Sequence, residues 1–375
     1  MTRHATDLPT PHPSSTLNIN AFARAFDKRT TSYKHLYFLA LLEEVKENNF
    51  RAATISAHRM AARMLFIAIH PVMTCRLQLG AQDQVSNILA SVLGSQDRQT
   101  LSNRTQLRAL ETSDIARQSD LLRYVPYRLL SPFFPDAKDE QDTNRNRLIE
   151  EQSRLHFSDL KPLYRINVDK SIELHPDWLE YLQLNFPIVM AWAERHWIDY
   201  LQSRNPTVPA IPAKIRAPEK RRSLATQRAF WNIAIEGSPT PVRCIYSSRP
   251  LVVTDYELDH FLPWTFTGHD EIWNMVPASP SANSAKSDSL PHVDYIDPAV
   301  ELIHTGLMTA KAVMSEHRAW RTIEESFGAG LRISASGMLD LSTLRKSYHD
   351  TWRPQITIAH SIGFQEGWRS KIELR

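Results

Sequence analysis

Residues 243–291 read RCIYSSRPLVVTDYELDHFLPWTFTGHDEIWNMVPASPSANSAKSDSLP. The segment 252–258 is rich in β-branched and aromatic side chains, which predicts a strand that ends in an Asp-His pair. A turn-rich connection follows, and residues 272–276 are predicted to form a second short strand. Residues 280–288 are polar and compatible with a helix. The stretch therefore predicts the order strand, strand, helix.

Five polar side chains in this stretch carry groups that phosphodiester hydrolysis needs. The reaction requires a base for water and a Lewis acid on the phosphate and the leaving oxygen. His260 is the candidate base, because neutral imidazole is well matched to about pH 7. Asp259 and the Asn283 carbonyl are hard oxygen ligands suited to Mg²⁺ or Mn²⁺, and Asn274 is a candidate to orient the base. Lys286, one helical turn beyond Asn283, is a candidate phosphate contact.

Each of these residues also has a structural explanation when it is taken singly. The Asp-His pair could be a satisfied structural contact, Asn274 could cap a turn, and Asn283 could begin a helix. Their occurrence together in one strand-strand-helix pattern favours catalysis. His269 and Asp270, in the loop between the strands, are alternative metal ligands and rank below the named set.

The run D-H-x-x-P … N … N-x-x-K-S-D-x-x-P resembles the HNH endonuclease superfamily, and in particular the target-strand nuclease domain of RNA-guided CRISPR effectors. The resemblance implies that His260 is the base and that Asp259 and Asn283 are metal ligands. It also implies that Asn274 is the middle Asn of the motif, with Lys286 inside the matching run. It covers about 50 of the 375 residues.

Cysteine usage bears on whether zinc is present. The chain has two cysteines, Cys75 and Cys244, which are too few for a disulfide framework or for a zinc knuckle with about four ligands. Many relatives carry C-x-x-C zinc pairs, whereas here Ser247 stands where the partner of Cys244 would be. We therefore expect Mg²⁺ or Mn²⁺ as cofactor and no structural zinc.

A basic stretch at 213–228 precedes this segment. A run of basic residues usually forms the solvated face of a helix. Its position next to the catalytic candidates favours a phosphate-contacting surface instead. The predicted contacts are Lys214, Arg216, Lys220, Arg221 and Arg222.

Composition excludes several other classes. Lys and Arg number 44 against 41 Asp and Glu, so the net charge of +3 permits phosphate binding without demonstrating it. The chain has no G-x-G-x-x-G, G-x-x-x-x-G-K-[ST] or G-x-S-x-G motif, which argues against dinucleotide folds, P-loop NTPases and elbow-type serine hydrolases. No stretch reaches the roughly 18 apolar residues of a membrane span. A cytoplasmic protein without a membrane partner is predicted.

Apolar residues recur at helical spacing in 33–45, 177–202 and 298–323. The predicted fold class is mainly α with a small α+β module. The predicted segments are a flexible tail at 1–18, a helical N-terminal domain at 19–130, a linker or domain boundary at 131–175, a helical segment with the basic stretch at 176–238, the ββα-metal HNH nuclease module at 239–292 and a helical C-terminal cap at 293–375.

The predicted function is a metal-dependent endonuclease acting on nucleic acid, DNA in preference to RNA. Two flanking phrases, at 31–44 and 178–215, resemble bacterial proteins with a C-terminal HNH domain, some of them associated with antiphage defence. The alternative is a nucleic-acid- or partner-binding protein whose nuclease site is latent. A regulatory protein such as an ATPase would then activate it.

Overall fold

The computed structural model describes residues 17–27, 30–93, 103–118, 120–218, 223–314 and 318–371. These residues are mainly helical and contain two small antiparallel sheets, which confirms the predicted fold class at that level. The chain divides into two compact units, residues 1–206 and 207–375. Residues 1–16 of the predicted tail lie outside the described residues. No described helix has the length and apolar character that crossing a membrane requires.

The first unit is built largely from helices around one short sheet. Its sheet has the strand order β1-β3-β2, with antiparallel neighbours. Its described helices and strands are α1 (Ile19–Ala23), α2 (Tyr33–Glu47), β1 (Thr54–Ile55), α3 (Ala57–Ala68), α4 (Val85–Leu93), α5 (Asn103–Thr112), α6 (Asp114–Gln118), α7 (Val125–Leu130), α8 (Asp142–Leu155), β2 (Tyr164–Ile166), β3 (Ile172–Leu174) and α9 (Pro176–Arg204).

Helix α2 forms the centre of the first unit. Its sequence is apolar around most of the circumference, and a helix of that kind is stable only when neighbours cover it. It packs against α3 and α9. Phe38 on α2 and Phe22 on α1 both contact Trp192 of α9, with ring centroids 5.8 and 5.6 Å away. The helices of the first unit therefore pack around a core that is rich in aromatic side chains.

Two predicted boundaries differ from the structure. Residues 131–175, expected to be a linker, hold α8, β2 and β3. Ile149 of α8 and Tyr164 of β2 are buried, so this segment contributes to the core of the first unit despite its Pro-rich and charged beginning. The predicted segment 176–238 is divided, because the two units separate after Pro206.

The second unit contains the segment quoted above and the helices that follow it. Strands β4 and β5 pair antiparallel, and α12 follows β5 directly. The predicted helix at 298–323 is two helices rather than one. The described elements are α10 (Ala225–Gly237), β4 (Glu257–His260), α11 (Trp264–Thr267), β5 (Met275–Ala278), α12 (Pro280–Lys286), α13 (Ile296–Met314), α14 (Arg318–Leu331) and α15 (Leu341–Ser361).

Both strands begin later than predicted. Val252 is 53% exposed and its carbonyl accepts a hydrogen bond from Asp255 N at 2.9 Å, so a turn occupies the start of the predicted first strand. Arg249 pairs with the Asp255 carboxylate across this turn. A 3₁₀ helix at Ile272–Asn274 likewise replaces the start of the second strand. The order strand, strand, helix is nevertheless the one that the sequence predicts.

The cap and the strand-strand-helix segment share one hydrophobic core. Trp352 of α15 stacks on Phe261, immediately after β4, with ring centroids 3.8 Å apart and planes 7° apart. Tyr348, one turn earlier, donates its hydroxyl to the carbonyl of Trp273 at 2.8 Å. Helix α15 therefore holds both ends of the connection between β4 and β5.

Helix α14 approaches Trp273 so closely that only glycine fits at position 330. A Cβ on Gly330 would lie 2.0 Å from Trp273 Nε1, whereas a Cβ on Gly328 would meet its nearest atom, the Ile333 carbonyl, at 3.5 Å. Gly330→Ala should destabilise the protein by about 1–3 kcal/mol through overpacking. Gly328→Ala, the matched control in the same helix, should stabilise it by up to about 1 kcal/mol. Unfolding monitored by urea titration measures both, and a stabilising Gly330→Ala would contradict this packing.

Candidate active site

The candidate site lies where β4 ends against β5 and α12. In the antiparallel register Asp259 faces Val276 and His260 faces Met275. Pro280 stands at the start of α12, where its missing N–H costs no helix hydrogen bond. This short helix returns beside β4. The polar residues of β4 and α12 are thus brought together.

The Asp259 carboxylate is buried and held at both oxygens. It is 3% exposed. Tyr246 Oη donates to Oδ2 at 2.6 Å, and Lys286 Nζ donates to Oδ1 at 2.9 Å. Burial, and then the nearby Asp259 charge, raise the pKa of Tyr246 well above its ordinary value, so its hydroxyl remains the proton donor. The carboxylate therefore has a fixed orientation.

Lys286 has a different place from the one predicted. Its side chain is fully buried, and its ammonium also donates to the carbonyl of His260 at 2.7 Å. The prediction of a phosphate contact is therefore wrong for this structure. The one-turn spacing from Asn283 directs Lys286 toward β4, where the Asp259 charge compensates for its lost hydration.

Asn274 acts on the backbone that follows the candidate base. It is fully buried. Its Oδ1 accepts from Leu262 N at 3.0 Å and its Nδ2 donates to Leu262 O at 2.8 Å, while its backbone carbonyl accepts from Phe261 N at 2.8 Å. These bonds fix the two residues after His260. A role in orienting His260 would thus act through the main chain.

The His260 ring contacts Asp270, one of the two lower-ranked metal candidates. His260 Nε2 and Asp270 Oδ1 are 3.0 Å apart, with side chains 19% and 18% exposed. The other candidate, His269, has its Nδ1 engaged by Glu271 N at 3.3 Å. Burial lowers the pKa of His269. The structure therefore connects Asp270, rather than His269, with the candidate base.

Asn283 contacts a carboxylate that the sequence analysis missed. Its Nδ2 donates to Glu257 Oε2 at 2.6 Å. Glu257 precedes Asp259 by two residues on β4, and the period of two in a strand places both on one face. That alternation was the signal in the sequence that could have identified Glu257. Tyr246, which lies before the strand, had no comparable signal.

The donor types here fit a hard divalent cation. Glu257, Asp259 and Asn283 offer two carboxylates and an amide oxygen, the ligand types that Mg²⁺ and Mn²⁺ prefer. The Asn283 Nδ2 bond to Glu257 leaves the amide oxygen as the ligating atom, and each Asp259 oxygen retains a second lone pair. Among the described residues, no group of three or more His, Cys, Asp or Glu is placed to hold a metal ion. The candidate ligand set here therefore combines carboxylates with the Asn283 amide rather than three carboxylates or imidazoles.

The structure describes two of the five predicted basic contacts, and they differ in burial. Lys214 is fully buried, and its ammonium donates to the carbonyls of Pro209, at 2.5 Å, and Phe266. The prediction that Lys214 contacts phosphate is therefore wrong for this structure, because its charge is bound within the second unit. Arg216 is exposed. The remaining three, Lys220, Arg221 and Arg222, lie outside the described residues.

The segment that contains the candidate site resembles a known family. A family model described as HNH endonuclease matches residues 244–292. This range includes His260, Asp259, Asn274 and Asn283, and it confirms the resemblance to the HNH superfamily. No curated protein and no solved structure was found to match the chain.

The ion pair between Asp259 and Lys286 predicts a specific stability pattern. Lys286→Met leaves the buried carboxylate without its cation, so it should lower the free energy of unfolding by about 3–5 kcal/mol. Adding Asp259→Asn to Lys286→Met removes that stranded charge and should restore part of the loss. Urea denaturation measures the free energy of unfolding of the wild type, the single variant and the double variant.

The control is Lys346→Met, which breaks an exposed pair with Asp350 on α15. Exposed pairs contribute little, so this variant should unfold like the wild type. Equal stability of Lys286→Met and Lys346→Met would show that the buried pair does not matter.

Proposed function

We propose that this protein, with its HNH endonuclease segment at 244–292, is a metal-dependent endonuclease. It hydrolyses the phosphodiester bonds of nucleic acid, with DNA as the preferred substrate over RNA. One observation carries the proposal. The matched segment holds His260, Asp259, Asn274 and Asn283, and each of them lies on β4 or makes a described contact with β4 or with the two residues that follow it. The family match supports nuclease action on nucleic acid, and the metal dependence and the preference for DNA are the finer parts of the proposal.

In the proposed reaction His260 is the general base. It takes a proton from a water molecule as the water oxygen bonds to phosphorus, and the bond from phosphorus to the 3′ oxygen breaks. The leaving oxygen is then protonated from solvent. Asn274 and Lys286 bind main-chain atoms of residues 260–262, so the base approaches the phosphate from a fixed backbone.

Asp259 and Asn283 would hold Mg²⁺ or Mn²⁺, with Glu257 beside them. When bound, the ion supplies a Lewis acid for the scissile phosphate and for the leaving oxygen. Tyr246 keeps the Asp259 carboxylate oriented, and Glu257 keeps the Asn283 amide oriented. The oxygen-rich donor set supports this choice of ions over zinc.

We assign contacts with the other phosphates of the substrate to the basic stretch at 213–228. Exposure of Arg216 supports a phosphate contact there, and Lys220, Arg221 and Arg222 stay predictions. A role in antiphage defence and activation by an ATPase also stay predictions from the sequence resemblance.

A latent nuclease is the second candidate, since residues 1–206 form a separate unit outside the family match. That unit would then serve recognition or control rather than chemistry. Salt-dependent DNA binding without cutting under any divalent ion, followed by cutting when a partner protein is added, would favour this candidate.

Purified protein with Mg²⁺ or Mn²⁺ should nick supercoiled plasmid DNA, and EDTA should stop the nicking. His260→Ala should lower the rate by about 100-fold or more, because the base is lost. Gel electrophoresis of the relaxed product, followed over time, gives the rate.

The matched control is His349→Ala. His349 is a half-buried histidine of the second unit that also pairs with an aspartate, Asp297, and its other described partner is Arg353, so neither of these contacts is with a residue assigned to the reaction. This variant should nick at the wild-type rate. Unchanged nicking by His260→Ala would exclude His260 as the base.

A further inference from the structure

We infer that Asp270 is the positioning residue of His260: its carboxylate fixes the imidazole so that Nε2 carries the proton and Nδ1 faces the reacting water. The inference rests on the proposed function and adds to it, because it assigns separate roles to the two ring nitrogens. The contact that carries it is the 3.0 Å distance between His260 Nε2 and Asp270 Oδ1.

The loop that carries Asp270 is anchored at neighbouring points. Gln227 of α10 donates its Nε2 to the Asp270 carbonyl at 2.6 Å. The next residue, Glu271, accepts a hydrogen bond from Ser326 of α14 at 2.6 Å. Hydrogen bonds from α10 and α14 thus hold the loop at residues 270 and 271. The backbone of His260 is held separately, by its pairing with β5 and by Lys286 of α12. Their contact joins two independently fixed segments.

Burial distinguishes this pair from an ordinary surface ion pair. Less than one fifth of either side chain is exposed. For comparison, the Arg249–Asp255 pair of the same unit has side chains 51% and 43% exposed. Water competes less for the His260–Asp270 contact, so the carboxylate can hold the ring in one orientation.

The chemistry of imidazole gives the contact its consequence. In a neutral ring one nitrogen is a donor and the other an acceptor. A carboxylate is an acceptor only, so Asp270 selects the tautomer with hydrogen on Nε2, and the lone pair then lies on Nδ1. A base must present that lone pair to water in every turnover, and a fixed tautomer removes the fraction of molecules that would present a proton instead.

Three variants test the assignment. Asp270→Asn keeps the shape but can donate as well as accept, so it no longer selects one tautomer. It should lower the single-turnover nicking rate by about 2- to 10-fold, because only the rings that keep hydrogen on Nε2 can act as the base. Asp270→Glu keeps the carboxylate and should recover part of that loss. Asp255→Asn, the matched control, should nick at the wild-type rate.

The second readout does not depend on cleavage. Long-range ¹H–¹⁵N spectra of ¹⁵N-histidine-labelled, metal-free protein report which nitrogen of each ring is protonated, and His260→Ala identifies the signal. We expect the Nε2–H form in the wild type and in Asp270→Glu, and a mixture in Asp270→Asn. Addition of Mg²⁺ should leave the Nε2 proton in place.

The outcomes separate the two claims. If the wild type shows the Nε2–H form but no divalent ion permits cutting, the proposed function fails and the positioning contact stands. If His260→Ala stops nicking while Asp270→Asn nicks at the wild-type rate, Asp270 is not a positioning residue. A wild-type Nδ1–H form, or loss of the Nε2 proton with Mg²⁺, also overturns the inference.

Discussion

The candidate site is organised by one buried ion pair, between the Asp259 carboxylate and the Lys286 ammonium. Removing two charges from water is costly, and the cost is offset only when the remaining hydrogen-bonding capacity is used. Here Tyr246 donates to the second carboxylate oxygen, and the His260 carbonyl accepts from the ammonium. Lys286 therefore links α12 to β4 at two adjacent residues. The proposed metal ligand and the backbone of the proposed base share the same anchor.

Other buried groups fix the residues that follow His260 in the chain. Asn274 binds the main-chain N–H and carbonyl of Leu262. Trp352 stacks on Phe261, the residue between His260 and Leu262. His260 thus stands at the end of a strand whose continuation is fixed by an amide and by an aromatic ring. Precise placement of a base matters, because a small displacement from the attacking water can cost much of the rate.

The family match is shorter than the folding unit that contains it. Residues 244–292 supply the strands and α12, yet α13 and α15 share their hydrophobic core. Trp273 is held by Tyr348 and is closely covered at Gly330. The segment needs these helices because two short strands and one short helix bury too little apolar surface to be stable alone. The C-terminal cap is therefore part of the site's support.

The sequence by itself determined the helical class, the order strand, strand, helix, and the candidate residues His260, Asp259, Asn274 and Asn283. These follow from local periodicity and from residue spacing, which the sequence contains. Tertiary structure alone decided that Lys286 and Lys214 are buried and that Asp270 contacts the base. A cation in a sequence has no fixed burial, because desolvation is compensated only by groups that folding brings near, such as Asp259 and the Phe266 carbonyl.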